Sequence, residues 1–226
     1  MEFLRQVLVI LAKDVRAELR TKEAVNAALA FAVMILVLFS FVFDPDEATT
    51  KMFAGGLLWI VFAFAGTLVL NRSFAREIPN DCLDALVAAP IPGSALFLGK
   101  ALANYLLVAA VELVALPVFG ILYYVRWYER FWQVMLVLAL GTWGVTVIGT
   151  MFSALTVNIR LREVMLPMIT YPMLTPALMG AMQLTVDLMN GKSIAGDATV
   201  WLKLLVGFDI LYTAASIILV DIVLVG

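Results

Sequence analysis

The sequence predicts an all-α membrane protein. It has six transmembrane helices, an amphipathic interfacial helix before the first, and a short cytoplasmic helix between the second and third. Three observations carry this reading. Apolar stretches at residues 24–43, 52–70, 95–124, 131–157, 165–189 and 202–225 are each long enough to cross the hydrocarbon core as a helix. The 226 residues are 64% hydrophobic and only 14% charged, with a mean hydropathy of +1.03; a soluble domain carries about 25% charged residues. The polar remainder is confined mainly to residues 1–22 and 71–93. That is too little for a second core, so residues 1–226 read as a single transmembrane domain.

The elements follow in order. In residues 2–20, Leu4, Leu8, Leu11, Val15 and Leu19 share one helical face, and Arg5, Lys13, Arg16 and Arg20 cluster on the opposite one. Such a helix lies in the interface with its basic side toward anionic headgroups. Asp14 and Glu18 fall on the apolar side, where lipid does not suit them, and are expected to pair with another helix or subunit. After the second span, Arg72, Phe74, Arg76 and Glu77 lead into Pro79, the acidic pair Asp81 and Asp84, a short apolar run, and Pro90-Ile91-Pro92-Gly93. Proline is tolerated in the first turn of a helix and ends one from inside, which brackets a short helix too brief to span a bilayer. Its charge pattern suits a protein contact more than a lipid one.

The third span carries Glu112 near its middle and is interrupted by Pro117. A carboxylate at membrane depth is costly and marks a functional candidate, with a structural hydrogen-bonded role as the alternative. Tyr123, Tyr124, Trp127, Tyr128, Phe131 and Trp132 crowd the following loop, as in an aromatic belt at headgroup level. Arg160 and Arg162 make a basic turn before the fifth span, where Pro167, Pro172 and Pro176 predict a bent or broken helix; Thr170 and Thr175 stand ready to satisfy freed carbonyls. Asp209 in the sixth span is a second intramembrane candidate, while Asp187 and Asp221 lie nearer the surface. All four prolines of the third and fifth spans are hinge candidates.

Lys and Arg counts orient the chain. Arg5, Lys13, Arg16, Arg20, Lys22, Arg72, Arg76, Lys100, Arg160 and Arg162 fall on the side of the termini; Lys51, Arg126, Arg130, Lys192 and Lys203 fall on the other. Ten against five places both termini in the cytoplasm. Five spans follow the first, so its cleavage as a signal peptide is not expected.

Several chemistries are excluded. The net charge of −2 offers no nucleic-acid footprint. The single cysteine, Cys82, permits no intramolecular disulfide, and the absence of histidine removes the commonest metal ligand, general base and haem ligand. No metal-binding or nucleophile motif occurs. The run Gly93–Lys100 has five residues between its glycines and continues with Ala101, so it is no phosphate loop. No catalytic or metal site is expected.

The order Glu77, Leu83, Leu86, Pro90, Gly99-Lys100 resembles the permease subunits of ABC-2-type exporters. Further segments resemble the cytochrome c maturation protein B (CcmB) family of haem exporter permeases: Glu18-Leu19-Arg20-Thr21-Lys22-Glu23, Gly55-Gly56-Leu57-Leu58-Trp59-Ile60, and Arg160-Leu161-Arg162-Glu163-Val164-Met165-Leu166-Pro167 with Tyr171-Pro172-Met173-Leu174-Thr175-Pro176. The likeness runs through the whole chain in order. A Phe-Arg-x-Asp motif of the family appears loosely as Phe74-Ala75-Arg76-Glu77, and an Asp-Gly-x-Leu-Glu run as Asn80-Asp81-Cys82-Leu83-Asp84, with charge kept and glycine lost.

The resemblance implies an inner-membrane subunit of a complex. A CcmA-like ABC ATPase would dock on the cytoplasmic loops through Arg72, Phe74, Arg76, Glu77, Asp81, Asp84, Arg160 and Arg162 and hydrolyse ATP with Mg. Cytochrome c maturation proteins C and D and the haem chaperone E would be further partners, and the permease would be paired as a homodimer. The substrate would be haem, or the chaperone loaded with it; the lack of histidine favours the second. An ABC-2-type permease for a lipid, glycan or drug, and a membrane assembly factor without an ATPase, remain alternatives at this level.

Overall fold

A computed structural model describes residues 2–42, 48–78, 89–157, 159 and 161–225. Seven long helices account for most of them: α1 (Glu2–Thr21), α2 (Glu23–Ser40), α3 (Ala48–Ser73), α4 (Gly93–Leu122), α5 (Phe131–Thr156), α6 (Arg162–Met189) and α7 (Ala198–Val225). Helices α2 to α7 are long and apolar enough to cross a membrane, so the protein is an integral membrane protein of the all-α class. No strand occurs among the described residues. The cytoplasmic helix expected between the second and third spans, with Asp81 and Asp84, and Arg160 of the fourth loop lie outside the described residues.

Helix α5 is the axis of the bundle, packed against α3, α4, α6 and α7. Hydrophobicity gives helices little reason to associate in lipid, so close approach and hydrogen bonds must hold them. Gly141 of α5 supplies one such approach. A side-chain carbon there would collide with the Trp59 ring, and that ring is fully buried. Its indole N–H donates to Thr185 Oγ1 of α6 at 2.9 Å, which binds three helices at one point.

One expectation is narrowed, since the proline-bearing spans are not broken, and another is corrected. Pro167, Pro172 and Pro176 lie inside an unbroken α6, and Pro117 inside an unbroken α4. Each proline removes a single ladder bond, and neighbouring helices hold the remaining turns in place. Thr175 Oγ1 does donate to the Tyr171 carbonyl at 3.1 Å. The Thr170 hydroxyl, by contrast, is buried with no partner among the described residues. Tyr123 does not join the aromatic belt: it is buried, stacks on Phe119 at 4.8 Å between ring centres, and donates to the Leu36 carbonyl of α2 at 3.0 Å. Tyr124, Tyr128, Phe131 and Trp132 are the exposed members.

Helix α1 lies along α4, not alone in the interface. It carries three faces instead of two. Val7, Ile10, Asp14 and Glu18 turn toward the bundle, Leu4, Leu8 and Leu19 are exposed as an apolar stripe, and Arg5, Arg16 and Arg20 are exposed beside them. Contact with α4 is made over Gly99, where an added Cβ would lie 2.7 Å from Ile10 Cβ and 3.0 Å from the Val7 carbonyl oxygen. Only a residue without a side chain lets the helices come this close.

Candidate functional site

The acidic residues of α1 meet the basic residues that flank the second and third spans. Lys100, in the second turn of α4, is fully buried. Its ammonium donates to Asp14 Oδ2 at 3.0 Å, Glu77 Oε1 at 2.9 Å and the Ser73 carbonyl at 2.9 Å. Those three bonds use all three of its protons. The same nitrogen stands 4.9 Å from the centre of the Phe74 ring, a separation at which the ring quadrupole attracts a cation. Lys13 approaches the cluster from the water side, paired with Glu77 and, at 3.2 Å, with Asp14. Partial burial opposes its charge, but the Glu77 hydrogen bond and the two carboxylates outweigh that, so its pKa stands above the ordinary lysine value.

A second pair closes the other end. The Arg76 guanidinium bonds the Glu18 carboxylate, which is almost completely buried. Glu18 Oε1 also accepts from the Val25 backbone N–H at 2.9 Å, across the junction of α1 and α2. Arg72 pairs with Glu23 at the exposed rim. Beneath the charges, Asn104 donates to Ser73 Oγ at 2.9 Å and to Thr150 Oγ1 at 2.8 Å, which links α3, α4 and α5. Buried charges are tolerated when paired and fully hydrogen-bonded, and each of these has that provision.

This geometry locates the sequence candidates. Arg72 is exposed at the end of α3. Phe74 is fully buried. Arg76 and Glu77 belong to a short 3-10 turn, Ala75–Glu77, with both side chains turned to partners within the chain. Arg162 opens α6 and, with Ile78, Val157, Ile159 and Leu161, lines a hollow of about 580 Å³. The residue after Glu77 and the fourth loop therefore share one surface. Lys100, Asn104 and Ser73 were absent from the sequence candidates; the displaced carboxylates Asp14 and Glu18 were the available signal for them.

Glu112 and Asp209 stand deeper in the bundle, both buried. Thr142 Oγ1 of α5 donates to Glu112 Oε2 at 2.5 Å, and both residues line a hollow of about 220 Å³ with Tyr105 and Met135. Asp209 packs against Gly144 of α5, and its two carboxylate oxygens have no hydrogen-bond partner among the described residues. Replacing Thr142 by Val removes the one hydrogen-bond donor that Glu112 has among the described residues. It is expected to lower stability by about 1–3 kcal/mol, the cost of orphaning a buried acceptor. In a Glu112→Leu background the same change should cost less than half as much, since the coupling is gone. Thermal unfolding of the four proteins in detergent checks this.

The chain matches the CcmB protein family over residues 5–220. It belongs to the CcmB family. Heme exporter protein B of Rhodobacter capsulatus is 31% identical to it over 211 residues, 93% of each chain. Heme exporter protein B of Paracoccus denitrificans is 31% identical over 75% of this chain and 77% of the relative. That of Pseudomonas aeruginosa is 25% identical over 92% of each. Membership of CcmB thus extends from α1 to α7 and includes every residue of the charged cluster. The Gly99-Lys100 pair that supported the resemblance has a physical role in this CcmB chain: Gly99 admits α1 and Lys100 fastens it.

Proposed function

We propose that this chain is the membrane permease subunit of an ATP-driven haem export complex acting in cytochrome c biogenesis. Family membership along the bundle, with heme exporter protein B relatives of matching length, is the observation that carries it. A separate CcmA-like ABC ATPase binds ATP and Mg and hydrolyses the nucleotide; this chain converts the resulting closure into movement of its spans. The complex resides in the cytoplasmic membrane with both termini of this chain inside, as the distribution of Lys and Arg supports. Two copies of the chain, proteins C and D, and the haem chaperone E complete the assembly.

The geometry supports a division within the cytoplasmic residues. The docking surface comprises Arg72, Arg162 and the hollow between Ile78 and the fourth loop; Asp81, Asp84 and Arg160, outside the described residues, are assigned to it on the family resemblance alone. Arg76, Glu77 and Phe74 lie behind that surface, engaged with the body of the permease. The moving substrate is haem released with its chaperone on the outer face, which requires no imidazole from this subunit, and the chain has no histidine. Glu112 and Asp209 are the intramembrane polar groups whose environment changes as the spans move.

Deletion of the gene is expected to abolish covalent haem attachment to c-type cytochromes, and mild detergent extraction of the tagged chain to recover an ABC ATPase. Normal cytochrome c in the deletion strain overturns the assignment to haem. Recovery of the chain without any ATPase overturns the permease reading itself.

A further inference from the structure

We propose that Lys100, with Asp14, Glu18, Arg76 and Glu77, is a transmission clasp that passes displacement of the cytoplasmic segment after Glu77 to α1 and the third span. The inference rests on the permease function proposed above and assigns positioning residues to it. Three observations carry it. First, the turn Ala75–Glu77 leads directly into the segment after span two, yet its charges point inward: Arg76 to Glu18 of α1, Glu77 to Lys100 of α4. A push delivered at Glu77 therefore acts on α1 and α4 through ion pairs.

Second, the clasp is placed to deliver force into backbone. Glu18 holds the Val25 N–H at 2.9 Å, so α1 and the start of the first span are tied across Lys22, whose left-handed φ of 55° marks a sharp corner. Lys100 holds the Ser73 carbonyl at 2.9 Å, so the end of α3 and the start of α4 are tied at the same point. Third, the polar layer continues inward: Asn104, one turn beyond Lys100, bonds Ser73 Oγ and Thr150 Oγ1 of α5, the axis of the bundle. Buried ion pairs add little net stability compared with apolar packing of the same volume. Their advantage is directional: a rigid, fully satisfied network has few alternative arrangements and moves as one piece.

The charge-swap cycle at Glu18 and Arg76 tests this in the whole complex. Three readouts are compared: ATPase recovered with the tagged chain, ATP hydrolysis rate, and yield of covalent c-type cytochrome. Glu18→Arg should keep the first two within about twofold of wild type, while cytochrome yield falls about tenfold or more, because unlike a surface charge it opposes Arg76 directly. Adding Arg76→Glu should restore the yield to within about threefold, as expected of a pair that acts as a unit. If all three readouts of Glu18→Arg fall together in proportion to protein recovered, the residues are merely structural and the clasp is overturned. It is also overturned if Glu18→Arg retains full cytochrome yield, or if the double variant is no better than the single. A wild-type chain that recovers no ATPase overturns the permease reading and the clasp together, whereas a normal wild type with a failed swap overturns the clasp alone.

Discussion

Lys100→Met is expected to destabilise the protein by about 2–4 kcal/mol, because removing one partner of a buried ion pair leaves the other uncompensated. Methionine matches the length of lysine and fills its place without polar atoms, so cavity formation adds little. What remains is electrostatic. Asp14 and Glu77 lose the cation that lies between them at 3.0 and 2.9 Å, and the Ser73 carbonyl loses its side-chain donor. Lys13 still reaches both carboxylates but is partly open to solvent, which screens its attraction, so it offsets only part of the loss. Adding Asp14→Asn and Glu77→Gln to Lys100→Met should recover more than half of the stability, since the orphaned charges are then gone. Reversible thermal unfolding in detergent reads both quantities. A Lys100→Met protein within about 0.5 kcal/mol of wild type, the range of ordinary surface changes, would mean that the cluster is open to water and weakly coupled.

The parts of this fold that were legible in the sequence are those set by the solvent. Each transmembrane helix appears as an apolar window because lipid demands it, and the observed α2 to α7 coincide with those windows to within a few residues. What was hidden is everything set by helix register. Reading α1 as two-faced assigned Leu4, Leu8 and Leu19 to the apolar side correctly, but missed that Val7 and Ile10 form a separate face toward α4. In the linear pattern the two apolar stripes merge into one face; only the misplaced Asp14 and Glu18 betrayed the second. Lys100 reads as an ordinary cytoplasmic-edge lysine, since its complete burial depends on α1 lying over it. Glu112 is conspicuous in sequence, but its partner Thr142 is 30 positions away, and nothing local specifies which hydroxyl of α5 comes opposite. Tyr123 was misassigned for the same reason: its neighbours in sequence are interfacial aromatics, while its partner in space is a carbonyl of α2. The prolines of α6 do not break the helix, because proline chemistry is local and the packing that holds the helix together is not.

Gly99→Val is expected to detach α1 from the bundle. The position is not tight because of a pliable side-chain tip. The atoms facing it are Ile10 Cβ at 2.7 Å and the Val7 carbonyl oxygen at 3.0 Å from where a Cβ would stand, and neither can retreat without moving the α1 backbone. Overpacking of this kind costs about 1–3 kcal/mol in a well-packed core, and the valine methyls add to the Cβ clash. Lifting α1 also lengthens the bonds of Asp14 to the neighbouring Lys100 and of Glu18 to Arg76, so the charge cluster fails with the contact. Gly56→Val is the matched control: nothing lies within 4 Å of a Cβ there, and valine is no poorer than glycine in a helix. The measurement is maleimide labelling of Ile10→Cys in a Cys82→Ser background, in membranes. Ile10 is 4% exposed, so labelling requires α1 to open. The rate should rise about tenfold or more with Gly99→Val, as local opening becomes easier, and stay unchanged with Gly56→Val. Equal protection in both would show that α1 is held by the charges alone and that Gly99 is no more than a spacer. A selective rise would show that the glycine and the lysine act together, one admitting the helix and the other holding it.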